Sequence, residues 1–156
     1  MIVSRKKIKE IVKKLKKERK KIVFTNGCFD LIHKGHIYLL KEAKKLGDVL
    51  IVGLNSDSSI KKIKGKGRPV LKEKERSFII DNIKGVDYVV IFNEKTPLKL
   101  IKEIKPDILV KGGDYKEDEV VGGDFVKKRK GKVVIIPYLN GFSTTDLIGR
   151  IKYEGT

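Results

Sequence analysis

A single cysteine, Cys28, is the only thiol among 156 residues. One thiol cannot close an internal disulfide, so the expected compartment is a reducing cytoplasm. No apolar run approaches the roughly 20 residues of a membrane span, and the N-terminus lacks the apolar stretch of a secretion signal. Internal repeats and linkers are absent as well. A single domain over residues 1–156 is therefore expected, with residues 1–20 as an amphipathic basic helix and residues 21–151 as the core. Acidic residues are in short supply: 20 Asp and Glu stand against 37 Lys and Arg, a net charge of +17.

Over half of that excess lies between Arg5 and Lys21, where eleven Lys or Arg meet two Glu. A basic stripe is the footprint of a nucleic-acid binder. No nucleic-acid-binding motif accompanies it, so a lysine-rich solvated surface is the better reading and nucleic acid is disfavoured as a partner. An intermediate reading is a field that steers anionic substrates.

Apolar residues Ile8, Ile11, Val12 and Leu15 recur at helical spacing after a capping Ser4. This helix is expected to pack on the core, and it is also a candidate homodimer interface. Short apolar runs at Lys21–Thr25, Asp48–Leu54, Asp87–Phe92, Pro106–Val110 and Lys132–Ile136 read as buried strands. Helical patterns separate them: one running to Leu46 with Ile37, Leu40 and Ala43 buried and Gly47 as C-cap, one over 72–83, one from Thr96 to Ile104, and a polar one over 118–130. A last helix starts at Ser143. Residues Lys61–Pro69, basic and glycine-rich, read as a mobile loop and a plausible lid. Strict alternation predicts an α/β fold, a Rossmann-like doubly wound five-stranded parallel sheet with helices on both faces. Ligands in such sheets bind beyond the carboxyl ends of the strands.

The stretch TNGCFDLIHKGH, Thr25 to His36, sits at such an end. Strand, glycine turn and helix start bring free N–H groups and a positive helix end together, which suits phosphate. His33 and His36, three residues apart, share one face of the first helical turn. On residue types alone a surface pair or a metal site stays open. Metal chelation on a helix more often uses i, i+4 histidines with a carboxylate or thiolate, and the nearest acid, Asp30, better suits a cap or a brace for the histidines.

Taken together, TNGCFDLIHKGH, NSD (Asn55–Asp57), Glu75–Arg76, VKGGDY (Val110–Tyr115) and GFSTT (Gly141–Thr145) resemble the cytidylyltransferase-like branch of the HxGH nucleotidylyltransferases. The resemblance runs from Lys21 to Ile151. Within the branch, NGCFD, VKGGDY and STT are most similar to adenylyltransferases acting on D-glycero-β-D-manno-heptose 1-phosphate. The implied reaction joins ATP to that sugar phosphate, giving ADP-heptose and pyrophosphate. Cytidylyltransferases for glycerol 3-phosphate or a similar alcohol phosphate are the alternative, although they more often read GTFD and GDDW. A non-catalytic basic nucleic-acid-binding module is the alternative from another class.

The resemblance implies roles for particular residues. His33, His36, Lys64 and Arg76 would be catalytic. Thr25, Asn26, Gly27, Cys28, Phe29, Gly35, Asn55, Asp57, Ser143, Thr144 and Thr145 would bind nucleotide. Asp30, Lys111, Gly112, Gly113 and Asp114 would bind the acceptor. Mg²⁺ would ride on the phosphates, with no protein cage of its own. Other roles stay open: Lys61, Lys62 and Lys66 compete with Lys64, and Arg76 could be a surface ion pair. Asp114 could simply form a turn, Ser143 could be an N-cap alone, and Cys28 could be packing rather than half of a Cys–His pair.

Overall fold

The computed structural model describes residues 1–113, 115–138 and 143–154; of Thr144, Tyr153 and Glu154 only the helical backbone is described. Five strands form one sheet: β1 (Ile22–Gly27), β2 (Val49–Asn55), β3 (Tyr88–Phe92), β4 (Ile108–Gly112) and β5 (Lys132–Ile136). Seven α-helices surround it: α1 (Arg5–Lys17), α2 (Lys34–Lys44), α3 (Asp57–Lys64), α4 (Glu73–Asp81), α5 (Leu98–Ile104), α6 (Gly123–Lys128) and α7 (Thr144–Glu154). The strand order is β3-β2-β1-β4-β5 with every pair parallel, the expected α/β architecture. The chain leaves β1 toward one edge and returns at β4 toward the other. The crevice between the ends of β1 and β4 is the switch point, where no crossover covers the sheet.

Period-two alternation splits the strand residues between two apolar layers. Ile22, Phe24, Ile51, Val90, Phe92 and Leu109 meet Ile8 and Val12 of α1 and Leu100, Ile101 and Ile104 of α5. Val23, Leu50, Val52, Leu54, Val89 and Val110 meet Leu40 and Ala43 of α2 and Ile80 of α4. Both faces of the sheet are therefore buried, which is why the strands read as unbroken apolar runs. The Ser4 hydroxyl caps α1, accepting from the Lys7 N–H at 3.0 Å. Arg5 pairs with Glu94 at 2.5 Å and Glu103 at 2.9 Å, tying α1 to the β3–α5 connection and to α5 itself.

Four local expectations are corrected. Ile37 is 46% exposed, because each three-residue step turns the helical stripe by about 60° and two steps carry it off the face of Ala43. Gly47 does not cap α2, whose C-cap is Lys45; it is needed for space, since a Cβ there would stand 2.7 Å from Val23 Cγ2. Residues Lys61–Lys64 are the last turn of α3, which the capping Ser56 and the buried Ile60 hold in place, so the loop begins at Gly65. The polar helix over 118–130 is broken: a 3₁₀ turn at Glu117–Glu119 is separated from α6 by Gly122 at φ +83°.

Gly53, in the middle of β2, leaves room for Phe24 from the neighbouring strand and Leu100 from α5: a Cβ would lie 2.7 Å from Phe24 Cζ and 3.3 Å from Leu100 Cδ2. Gly53→Ala is expected to overpack this layer and lower unfolding free energy by about 1–3 kcal/mol. Urea unfolding of the two proteins checks it, with no change in the slope of the transition.

Candidate active site

Loops from the carboxyl ends of β1, β2, β3 and β4 surround a cleft of about 420 Å³. Among the described residues its lining holds four cationic side chains, Lys64, Arg68, Lys95 and Lys111, against one carboxylate, Asp30. Asn26, Gly27, Cys28, Phe29, His36 and Asn55 complete the part of the lining that sequence reasoning had singled out.

The β1 end turns sharply. Gly27 has the Phe29 ring so close that a Cβ would be 2.9 Å from it, and Phe29 itself takes φ +48°. This fold-back puts the ring against His36 at a centroid separation of 5.3 Å. The chain then enters α2 through a reciprocal cap. His33 is the N-cap and its Nδ1 accepts from the Gly35 N–H at 3.0 Å; His36 Nδ1 accepts from the His33 N–H at 3.2 Å. An imidazole whose Nδ1 accepts a bond carries its proton on Nε2 when neutral. Each ring thus offers one Nε2–H donor, and the two rings stack at 3.9 Å between centroids. Burial, then His33 and Lys64, lower His36 to about 4, and burial lowers His33 despite the opposing field of Asp146. At neutral pH the pair is uncharged, and it acts through dipolar N–H groups rather than as two cations.

Cationic reach comes from elsewhere. Lys64, at the end of α3, lines the cleft near enough to His36 to depress its protonation, whereas Lys61, Lys62 and Lys66 are not among the lining residues. Lys111, at the end of β4, lies 4.9 Å from the Tyr115 ring centroid, and burial pushes its ammonium below the ordinary lysine value. Asn55 holds its side chain through the Ser59 hydroxyl at 3.0 Å.

Several expected contacts are turned inward. Arg76 is fully buried and does not line the cleft. Its Nε donates to Leu71 O, its Nη1 to Cys28 O and Asn55 O, and its Nη2 to Asp57 Oδ1, all within 2.9 Å. Asp57 in turn accepts from the Glu73 N–H while Glu73 accepts from the Asp57 N–H, a closed exchange between the starts of α3 and α4. Arg76 and Asp57 therefore shape the site from behind it. Thr25 is buried with its hydroxyl donating to Val110 O at 3.0 Å, a bond within the sheet. Asp30 does not brace the histidines: its two oxygens accept from Arg68 Nε and from the Val70 and Leu71 N–H groups. Those donors hold the carboxylate below the usual range despite its burial. Gly35 donates its N–H to His33, so that donor is engaged.

Gly112 ends β4 and Gly113 begins the turn after it, neither lining the cleft, with Gly113 at φ +112° and the Tyr138 ring packed where its Cβ would be. The Ser143 hydroxyl accepts from the Asp146 N–H at 3.0 Å, so Ser143 is the N-cap of α7, and Thr145 is exposed on that helix. Asp114 and the side chain of Thr144 lie outside the described residues.

Sequence reasoning missed Ile63, Arg68, Lys95, Thr96, Pro97, Tyr115, Val121 and Tyr138 as lining residues. For Lys95–Pro97 the signal was available: they follow β3, whose carboxyl end opens on the same edge as the others. Among the described residues no cluster of three or more His, Cys, Asp or Glu could hold a metal ion. With Asp30 already saturated, the described residues of the cleft offer no carboxylate cage, and they suit a divalent cation carried on phosphate oxygens and water. No helix among the described residues is long and apolar enough to cross a membrane.

The family model described as cytidylyltransferase-like matches residues 24–150. A bifunctional protein HldE of Helicobacter pylori (strain Shi470) is 50% identical over 145 residues, which are 93% of this chain and 30% of that protein. Another bifunctional protein HldE, from a Nitratiruptor species, is 53% identical over the same shares. The chain thus spans about 30% of the length of the curated relatives it matches. Among solved structures, the lipopolysaccharide core biosynthesis protein from Thermoplasma volcanium GSS1 superposes with a TM-score of 0.63 at 37% identity, over 77% of this chain and 97% of that one. Pantoate-beta-alanine ligase from Francisella tularensis superposes with a TM-score of 0.66 at 20% identity, over 100% of this chain and 78% of that one, a likeness of fold.

Two outcomes follow from this geometry. Arg76→Met, which deletes four hydrogen bonds and strands a carboxylate, is expected to cost about 3–5 kcal/mol of stability, read by chemical denaturation. In the ligand-free protein, ring nitrogen shifts are expected to show both histidines as neutral Nε2–H tautomers at pH 7.5, with His36 protonating only near pH 4. Because its folded value lies below its unfolded one, the stability tied to His36 is complete above about pH 6.5 and is lost as pH falls toward 4.

Proposed function

The chain belongs to the cytidylyltransferase-like family, and we propose that it transfers AMP from ATP to D-glycero-β-D-manno-heptose 1-phosphate, releasing pyrophosphate and forming ADP-heptose. That it is a nucleotidyltransferase follows from the family. The observation that carries the finer reading is the cleft itself, in which, among the described residues, four cations and the neutral His36, stacked on His33, converge at the switch point with Asp30 already saturated. Such a cavity suits two phosphorylated substrates. The sugar is supported by the motifs NGCFD and VKGGDY and by the likeness to a lipopolysaccharide core biosynthesis protein.

In this reading an oxygen of the sugar phosphate attacks the α-phosphorus of ATP in line. The bond from that phosphorus to the bridging oxygen of pyrophosphate breaks, and pyrophosphate leaves with the electron pair. No protein nucleophile enters. Cys28 lacks a base, since both histidine Nδ1 atoms already accept backbone N–H groups and both Nε2 atoms carry protons. Rate enhancement rests on alignment and on charge placed where it develops. His33 and His36 would donate through Nε2–H to the α-phosphoryl and leaving oxygens, and Lys64 would neutralise the pyrophosphate. Asn26, Gly27 and Asn55 would form the floor under the nucleotide, and Lys111 would hold an anionic oxygen from the β4 side. Mg²⁺, bound to the phosphates, would supply further charge neutralisation.

The test is pyrophosphate release from ATP and from CTP, each offered with heptose 1-phosphate and with glycerol 3-phosphate. Turnover is expected for ATP with the heptose phosphate. His36→Asn, whose amide oxygen can keep the helix cap, is expected to lose on the order of a hundredfold or more in kcat. Preference for CTP with glycerol 3-phosphate would move the substrate assignment to the alcohol-phosphate cytidylyltransferases. Silence with all four pairs from a protein that binds ATP would sink both substrate assignments.

A further inference from the structure

Arg68, between α3 and α4, is the second guanidinium near the site, and its bonding is unlike that of Arg76. Its Nε donates to Asp30 Oδ2 at 2.9 Å, the only hydrogen bond of this guanidinium among the described residues. The side chain is 17% exposed, lines the cleft that also holds His36, Lys64 and Lys111, and keeps Nη2 buried without an acceptor. Arg76, by contrast, bonds through all three nitrogens.

A buried N–H without an acceptor carries a desolvation cost that nothing among the described residues offsets. Attachment of the loop does not explain it, because the Val70 and Leu71 N–H groups already bind the Asp30 carboxylate at 2.8–2.9 Å. What the Nε bond does is fix the plane of the guanidinium, leaving its two amino groups unclaimed at a cleft wall. A planar fork held by one edge is the side-chain geometry that binds phosphate oxygens in pairs, and anchoring it beforehand lowers the ordering cost of doing so.

We propose that Arg68 is a phosphate-binding residue of the transfer site, donating through Nη1 and Nη2 to non-bridging oxygens of a substrate phosphate, with Asp30 as the residue that positions it. This rests on the nucleotidyl-transfer reading. The phosphate could belong to the triphosphate or to the acceptor, and the two arms of the experiment separate them.

Arg68→Gln and Arg68→Lys would be compared with the wild type by steady-state kinetics for each substrate, by calorimetric binding of inorganic pyrophosphate, and by melting temperature. Arg68→Gln is expected to raise one KM at least tenfold, with a smaller change in kcat and little change in melting temperature; Arg68→Lys recovers part of the loss. A raised KM for ATP together with weakened pyrophosphate binding assigns the contact to the triphosphate. A raised KM for the sugar phosphate alone assigns it to the acceptor. Unchanged KM values and pyrophosphate affinity in Arg68→Gln would overturn the proposal. If Arg68→Gln melts too early to assay, Arg68→Lys decides: full substrate affinity in that variant makes Arg68 a loop anchor only. Should the wild type turn over no substrate pair, the transfer reading falls by itself. ATP and pyrophosphate affinities of wild type and Arg68→Gln then still decide whether Arg68 binds phosphate.

Discussion

The site depends on one buried guanidinium. Arg76 reaches the carbonyls of Cys28 in the β1 loop, Asn55 at the end of β2 and Leu71 in the segment before α4, and it pairs with Asp57 at the start of α3. These carbonyls lie at a strand end and in loops, where the sheet ladder runs out. A buried carbonyl without a donor is costly, and Arg76 satisfies one in each of three chain segments: the β1 loop, the turn from β2 into α3 and the segment before α4. Charge burial is tolerable because the acceptors surround it and Asp57 neutralises it. The cleft floor is thereby set before any ligand arrives, which is what catalysis by alignment requires.

Around that tie, polarity is divided by position. Lysines dominate the outer surfaces of the helices, and within the cleft cations come from the end of α3, the loop after it, the loop after β3 and the end of β4. The histidines, which an electrostatic argument would make cationic, are instead kept neutral by burial, with the fields of His33 and Lys64 adding to it at His36. Directional donors and diffuse charge are thus supplied by different residues. The field draws anions in, and the imidazoles give the bound phosphates a fixed geometry.

The fold was legible because a sheet buried on both faces writes itself as apolar runs, and five such runs alternating with helices admit little else. The site's location was legible for a related reason: the loop after β1 must lie at the switch point. Direction of side chains was not. Thr25 and Asn26 are neighbours, yet the pleat sends the first into the sheet and leaves the second on the cleft. Arg76 belongs to a recurring motif, but a motif does not say whether a residue touches the ligand or the loops that hold it. Arg68 was hidden in a run of basic residues where each lysine and arginine looks alike until burial distinguishes them. The helical turn at Lys61–Lys64 was obscured by the glycines that follow it, since helix propensity there is overridden by the burial of Ile60.

Asp30 receives the Arg68 Nε and the Val70 and Leu71 amides on two oxygens while being only 1% exposed. Three donors sharing so sheltered an acceptor cannot be released one at a time without leaving charge or amide stranded in a dry place. Any departure of the segment after α3 from the body of the protein is therefore a two-state event rather than a gradual loosening. Asp30 is the acceptor that all three donors share, so its replacement, more than that of any one donor, would loosen the segment at three points together.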